Sequence, residues 1–141
     1  MSQRVEKAIE YNALWGYNCS QAVALAYADL FDLDPLTCFK AMEAFGLGMG
    51  NMEGTCGAIS GAIFLAGFAS SSGNMDQDPK NKSKSNTYKV AKAIMHEFEQ
   101  LHGSCLCKDL KVPDSKHFTP CKKCIEDAAL LVEKYLVKDK M

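Results

Sequence analysis

The sequence predicts an all-α fold, a single bundle of about five to six helices. Three observations carry this. Apolar residues recur at three-to-four spacing along most of the chain, cap and breaker residues delimit those stretches, and no segment alternates apolar with polar residues over a useful length. With 141 residues, 48% hydrophobic and 23% charged, the chain is expected to form one cysteine-rich helical domain over 1–141.

The first helix runs roughly from Gln3 to Trp15, with Val5, Ala8, Ile9 and Trp15 on one face, and stops at Gly16. Asn18, a good N-cap, opens a second that reaches about Phe31 and is striped by Ala22, Val23, Ala26, Tyr27 and Leu30. Asp34 caps a third and Pro35 suits its first position. That helix ends at Gly46, in the connector Gly46-Leu47-Gly48-Met49-Gly50-Asn51. The fourth begins near Thr55 and extends to about Ser70. Residues 74–87 read as a solvated loop, in which Asp78-Pro79 offers an early start for the fifth helix. The stripe of that helix is Ala91, Ile94, Met95, Phe98 and Leu101, and Gly103 closes it. Thr119-Pro120 opens the last, whose apolar positions are Ile125, Ala128, Ala129, Val132, Tyr135 and Leu136.

Charge and hydropathy exclude several classes of function. Sixteen Lys+Arg against seventeen Asp+Glu give a formal charge of −1, which argues against a broad nucleic-acid face and against electrostatic membrane binding. The most apolar stretch, Ala58 to Ala69, is far shorter than the roughly twenty residues of a membrane span. The N-terminus lacks an apolar core of signal-peptide type, so a cytoplasmic protein is expected. The glycines at 46, 48, 50, 54, 57, 61 and 67 do not make a phosphate loop, because no strand precedes them and no Gly-Lys-Ser/Thr follows. They serve chain reversal and, for Gly57 with Gly61, close helix packing. His96 and His102 share no helical face, and lysines 80, 82, 84, 89 and 92 form a wet surface.

The sulfurs are the informative residues. Seven cysteines in a reducing compartment point to redox or metal chemistry rather than to structural staples, and an odd number cannot pair completely. Cys19 falls in the first turn of the second helix, Cys56 begins the fourth, and Cys121 with Cys124 forms a C-x-x-C at the start of the last. Cys121 and Cys124 are expected to share a face with Ile125 and Ala128. A helix N-terminus carries partial positive charge, which favours thiolate, the attacking species in disulfide exchange and also the metal ligand. Lys122 and Lys123 are expected to add positive charge. Cys56 and Cys124 should therefore out-react Cys38, which sits mid-helix as a small hydrophobe. Cys105 and Cys107, with Cys121 and Cys124, make a zinc or iron–sulfur candidate, although the pattern lacks two C-x-x-C knuckles.

Tyr17-Asn18-Cys19-Ser20-Gln21, Cys56-Gly57-Ala58-Ile59-Ser60-Gly61, Cys107-Lys108-Asp109-Leu110 and the helix-start Cys124 follow one another along the chain. In this the sequence resembles the C-GCAxxG-C-C family, bacterial and archaeal proteins of about this size with four signature cysteines and a presumed redox activity. The resemblance implies that Cys19, Cys56, Cys107 and Cys124 are the signature thiols. Cys38, Cys105 and Cys121 are additional to the pattern.

The expectation is thus a thiol–disulfide redox protein in which Cys19, Cys56, Cys107 and Cys124 gather with Cys121 close by. It would use no cofactor, would act on a redox partner protein or small thiol, and could form a homo-oligomer. The alternative is a carrier or electron-transfer protein holding zinc or an iron–sulfur cluster on the same cysteines. A third reading, a helical interaction protein with inert, dispersed thiols, fits the helix-start placement less well.

Overall fold

The computed structural model describes residues 2–77 and 80–141. The Asp78-Pro79 helix start lies outside the described residues. Seven α-helices appear among the described residues: α1 (Gln3–Ala13), α2 (Cys19–Tyr27), α3 (Pro35–Met42), α4 (Gly57–Ser70), α5 (Lys84–His102), α6 (Cys107–Leu110) and α7 (Cys121–Tyr135). Short 3-10 turns extend α2 over Ala28–Phe31 and α3 over Glu43–Phe45. The structure therefore corrects the expected count of five to six. The helix without a sequence signal is α6, a single turn after the C-x-C and too short to show a period. Among the described residues the only extended pairing is one antiparallel bridge, Thr55 with Leu106.

Local chemistry explains the helix starts. The Ser2 hydroxyl caps α1 by accepting from the Val5 amide, and Asp34 accepts from the Thr37 amide ahead of Pro35. At α2, Asn18 Oδ1 accepts from the Gln21 amide at 2.9 Å, and Gln21 Oε1 accepts from the Asn18 amide at 3.0 Å. That is a reciprocal capping box. The same polar residues tie α2 to the end of α3. Ser20 Oγ donates to Met42 O, Gln21 Nε2 to Phe39 O, and Asn18 Nδ2 to Glu43 O. Cys19 is thereby locked at the front of its helix.

Helix α4 is the axis of the molecule. Its residues from Gly57 to Ala62, and then Leu65 and Ala66, are buried, the signature of a helix surrounded by others. It packs on α2, α5 and α7. Gly57 and Gly61 allow the close approach to α2, since a Cβ on Gly61 would lie 2.7 Å from Ser20 O. The main core joins Val5, Tyr27, Ile59, Leu65, Ile94, Phe98, Ile125 and Val132 from five helices. A buried polar contact between α5 and α7 brings His102 Nε2 to 2.9 Å from Asp127 Oδ2.

Two apolar assignments are corrected. Trp15 lies beyond the end of α1, and Leu101 lies on the outer side of α5; both are exposed. No helix among the described residues is long and apolar enough to cross a membrane.

Candidate functional site

Four chain segments deliver sulfur to one region. Cys19 opens α2, Cys56 stands at the N-cap of α4, Cys107 opens α6, and Cys121 opens α7 with Cys124 one turn further on. Cys56 was expected to begin α4; the structure instead makes it the N-cap, and its side chain makes no capping bond. The segments are fixed by backbone. The Cys56 amide donates to Cys105 O at 2.7 Å and the Cys107 amide to Gly54 O at 3.0 Å, flanking the Thr55–Leu106 bridge. The Thr119 amide donates to Leu110 O at 2.7 Å, folding the α6–α7 connection back on itself.

Small residues let the sulfurs approach. A Cβ on Gly57 would lie 2.5 Å from Cys19 Sγ, and one on Gly48 would lie 2.4 Å from Cys107 Cβ. Gly48 also has a φ of +56°, inside a turn where Leu47, Met49 and Met52 are left-handed as well. Each non-glycine residue held there costs roughly 1–2 kcal/mol, so the turn depends on its surroundings. It is held by the Gly54 amide donating to Gly48 O, while the Leu47 amide faces the Cys19 thiol.

Each of these five sulfurs lies within electrostatic reach of at least two of the others, but their exposure differs. Cys56 and Cys124 are completely buried, Cys19 and Cys107 nearly so, and Cys121 is exposed. The Cys56 thiol lies against the Cys124 sulfur and stabilises a thiolate there. Lys111 Nζ also reaches Cys124, 2.9 Å from its Sγ, and donates to Thr119 O at 3.2 Å.

This arrangement separates the thiols chemically. Cys124 is held below the ordinary thiol value, first by the Cys56 S–H and then, against the effect of burial, by the Lys111 ammonium. Cys56 is pushed well above it, because its proton is held by Cys124 and because it is buried. Burial pushes Cys19 up to about 11, with the charges of Cys56 and Cys121 adding to the effect. Burial and Cys56 likewise raise Cys107. For Lys111, burial favours the neutral amine, yet the Cys124 hydrogen bond and the nearby thiolate charge outweigh it and keep the ammonium.

Activation by the helix start alone is thus corrected for Cys56 and Cys19. Desolvation at a buried first turn outweighs the partial charge of the helix end. The source of positive charge is corrected too. Lys122 is exposed, and Lys123 pairs with Glu126 at 2.9 Å and Asp127 at 3.2 Å. Lys111 had no motif to mark it; its only signal is its place one turn after Cys107. Cys121 does not share the buried face of Cys124, Ile125 and Ala128.

Of the two remaining sulfurs, Cys38 lies apart, while Cys105 borders Cys56 but points elsewhere. Cys38 packs with Ala24, Ala28 and Met42 in a separate small cluster, and burial takes its thiol to about 11. Cys105 turns toward Met95 O, 3.5 Å away, on the α5 side. The set of Cys105, Cys107, Cys121 and Cys124 is therefore not assembled around one point. Among the described residues no three His, Cys, Asp or Glu side chains are grouped as a metal site.

A family model described as "Putative redox-active protein (C_GCAxxG_C_C)" matches residues 17–135. The chain belongs to this family. The matched span begins two residues before Cys19 and ends with α7, so it contains all seven cysteines and Lys111. Comparison with curated proteins and with solved structures gave no match.

Proposed function

We propose that this family member is a thiol–disulfide redox protein whose working pair is Cys124 and Cys56, with Cys19, Cys107 and Cys121 around it. The observation that carries the reading is the Lys111 ammonium 2.9 Å from Cys124 Sγ, the same sulfur that the Cys56 thiol stabilises as thiolate. A charge-assisted hydrogen bond from a half-buried lysine stabilises the nucleophilic form of a sulfur, and the neighbouring thiol is placed to resolve what forms on it.

In the reducing direction Cys124 thiolate attacks one sulfur of a substrate disulfide. A Cys124–substrate disulfide forms and the other half leaves as thiolate. Once Cys124 is bonded it no longer carries the charge that held the Cys56 proton, and Lys111 is then free to stabilise a Cys56 thiolate. Cys56 gives up its proton and attacks Cys124 Sγ, and the second half of the substrate leaves. The protein ends with a Cys56–Cys124 disulfide, and two electrons have passed to the substrate. The substrate class is a protein disulfide or a small-molecule disulfide.

The same ammonium favours this reading over zinc or iron–sulfur ligation. It already supplies, at Cys124, the positive charge that a metal ion would bring, and a cation there would have to displace it. The test is a titration of anaerobically purified protein in glutathione redox buffers with its metal content measured alongside. Two thiols should disappear together as a single two-electron transition. Stoichiometric zinc or iron, with thiols that stay silent across the buffers, would overturn the proposal.

A further inference from the structure

The working pair has an access problem. Cys56 and Cys124 are both completely buried, and a disulfide carried by another molecule cannot reach a buried sulfur without local opening of the fold. We propose that Cys121 is the gateway thiol of this centre, taking the disulfide from solvent and passing it inward to Cys124. The proposal rests on the thiol–disulfide reading above and replaces its direct first step: the mixed disulfide forms on Cys121, and Cys124 receives the disulfide from there.

Two placements support it. Cys121 is the exposed member of the seven, while the other six are buried. It also stands three residues before Cys124 on α7, a spacing that puts side chains on adjoining positions with Cβ atoms roughly 5–6 Å apart. A disulfide wants those atoms nearer 4 Å. The adjustment falls in the first turn of a helix, where the leading amides have no intrahelical partner and the backbone yields most easily. The charge of Cys121 is felt at Cys19, Cys107, Cys124 and Lys111, so the exposed sulfur borders the buried group.

The transfer balances in three exchanges. Cys121 thiolate attacks an external disulfide, forming a mixed disulfide and releasing one thiolate. Cys124 thiolate attacks Cys121 Sγ, the bond to the external group breaks, and that group leaves as the second thiolate. Cys56, losing its proton to solvent, then attacks Cys124 Sγ and expels Cys121 as thiolate. Cys121 is regenerated, the two electrons come from Cys56 and Cys124, and the oxidising equivalent ends in the interior.

The experiment mixes the reduced full-length protein with oxidised glutathione, quenches with acid at intervals, and maps each cysteine by mass spectrometry. Wild type should reach the Cys56–Cys124 disulfide and retain no glutathione. Cys124→Ser should accumulate glutathione on Cys121. Cys121→Ser and Cys121→Ala, both at an exposed position and checked for unchanged thermal unfolding, should form Cys56–Cys124 at least about tenfold more slowly, because attack then waits for local opening. If those variants oxidise as fast as wild type, the gateway role is overturned while the working pair stands. If wild type takes glutathione onto Cys121 and never forms Cys56–Cys124, the working pair itself fails and the relay with it.

Discussion

Replacing Lys111 by Met removes the cation from Cys124 while keeping a stem of similar length for packing. Lys111 Nζ stands 2.9 Å from Cys124 Sγ; Cys124 is buried and Lys111 half-buried. A hydrogen bond to a charged group contributes roughly 1.5–3 kcal/mol, and one pKa unit corresponds to about 1.4 kcal/mol. The Cys124 midpoint should therefore rise by roughly 1–2 units, which is about a tenfold to hundredfold drop in its acid dissociation constant. The shift is bounded because the Cys56 S–H, the largest influence lowering Cys124, remains in place. The assay is the ultraviolet absorbance of the thiolate against pH, taken as the difference between each protein and its Cys124→Ser counterpart. This is an equilibrium reading that does not depend on reagent access. Lys111→Arg should restore most of the shift, and Lys108→Met, at an exposed lysine of the same short helix, should change nothing. A Cys124 midpoint left unmoved in Lys111→Met would refute the assignment of Lys111.

Three further outcomes are expected. Burial raises Cys19, Cys38 and Cys105 to about 11 in the folded protein, whereas unfolded thiols titrate near 8.5. The stability these groups contribute by staying protonated is complete below the unfolded value and is lost as pH rises toward the folded one. Denaturant midpoints should thus fall above about pH 8.5, by up to roughly 1.4 kcal/mol per pH unit for each thiol, and a flat alkaline limb would contradict the burial. Gly48→Ala should destabilise by at least about 1–3 kcal/mol, since its Cβ would meet the Cys107 Cβ at 2.4 Å in a left-handed backbone; urea unfolding checks it, and an unchanged midpoint would mean that the turn is looser than described. Cys38→Ala should cost on the order of 1 kcal/mol of stability from its small cluster yet leave the glutathione titration unaltered, and any change in that titration would place Cys38 in the redox chemistry.

How much of this was legible in the sequence depended on how local the cause was. The start of α2 could be read because Asn18 and Gln21 satisfy each other within four residues. That Gly57 and Gly61 serve close helix packing could be read from their spacing on an apolar helix; that the partner is α2 could not. Helix α6 could not, because four residues show no period. That Cys19, Cys56 and Cys124 stand at or near helix starts could be read from the caps around them, whereas Cys107 entered the expected group only through the family resemblance. Their ionisation did not follow, because it turns on burial and on which proton Cys124 holds, and both are properties of the packed interior. Lys122 and Lys123 are next to Cys124 in sequence but not on its side of the helix, since adjacent helical positions do not face one another. Lys111 reaches it only because the connection from Leu110 to Thr119 doubles back, a long-range event with no motif.

The central claim is that Cys56 and Cys124 exchange electrons as a pair. Non-reducing peptide mapping of the protein brought to equilibrium in an oxidising glutathione buffer tests it most directly. The account predicts one dominant intramolecular disulfide, Cys56–Cys124, with Cys19, Cys38, Cys105 and Cys107 still alkylated as free thiols after unfolding. Oxidation found at other cysteines while Cys56 and Cys124 both remain thiols would contradict it.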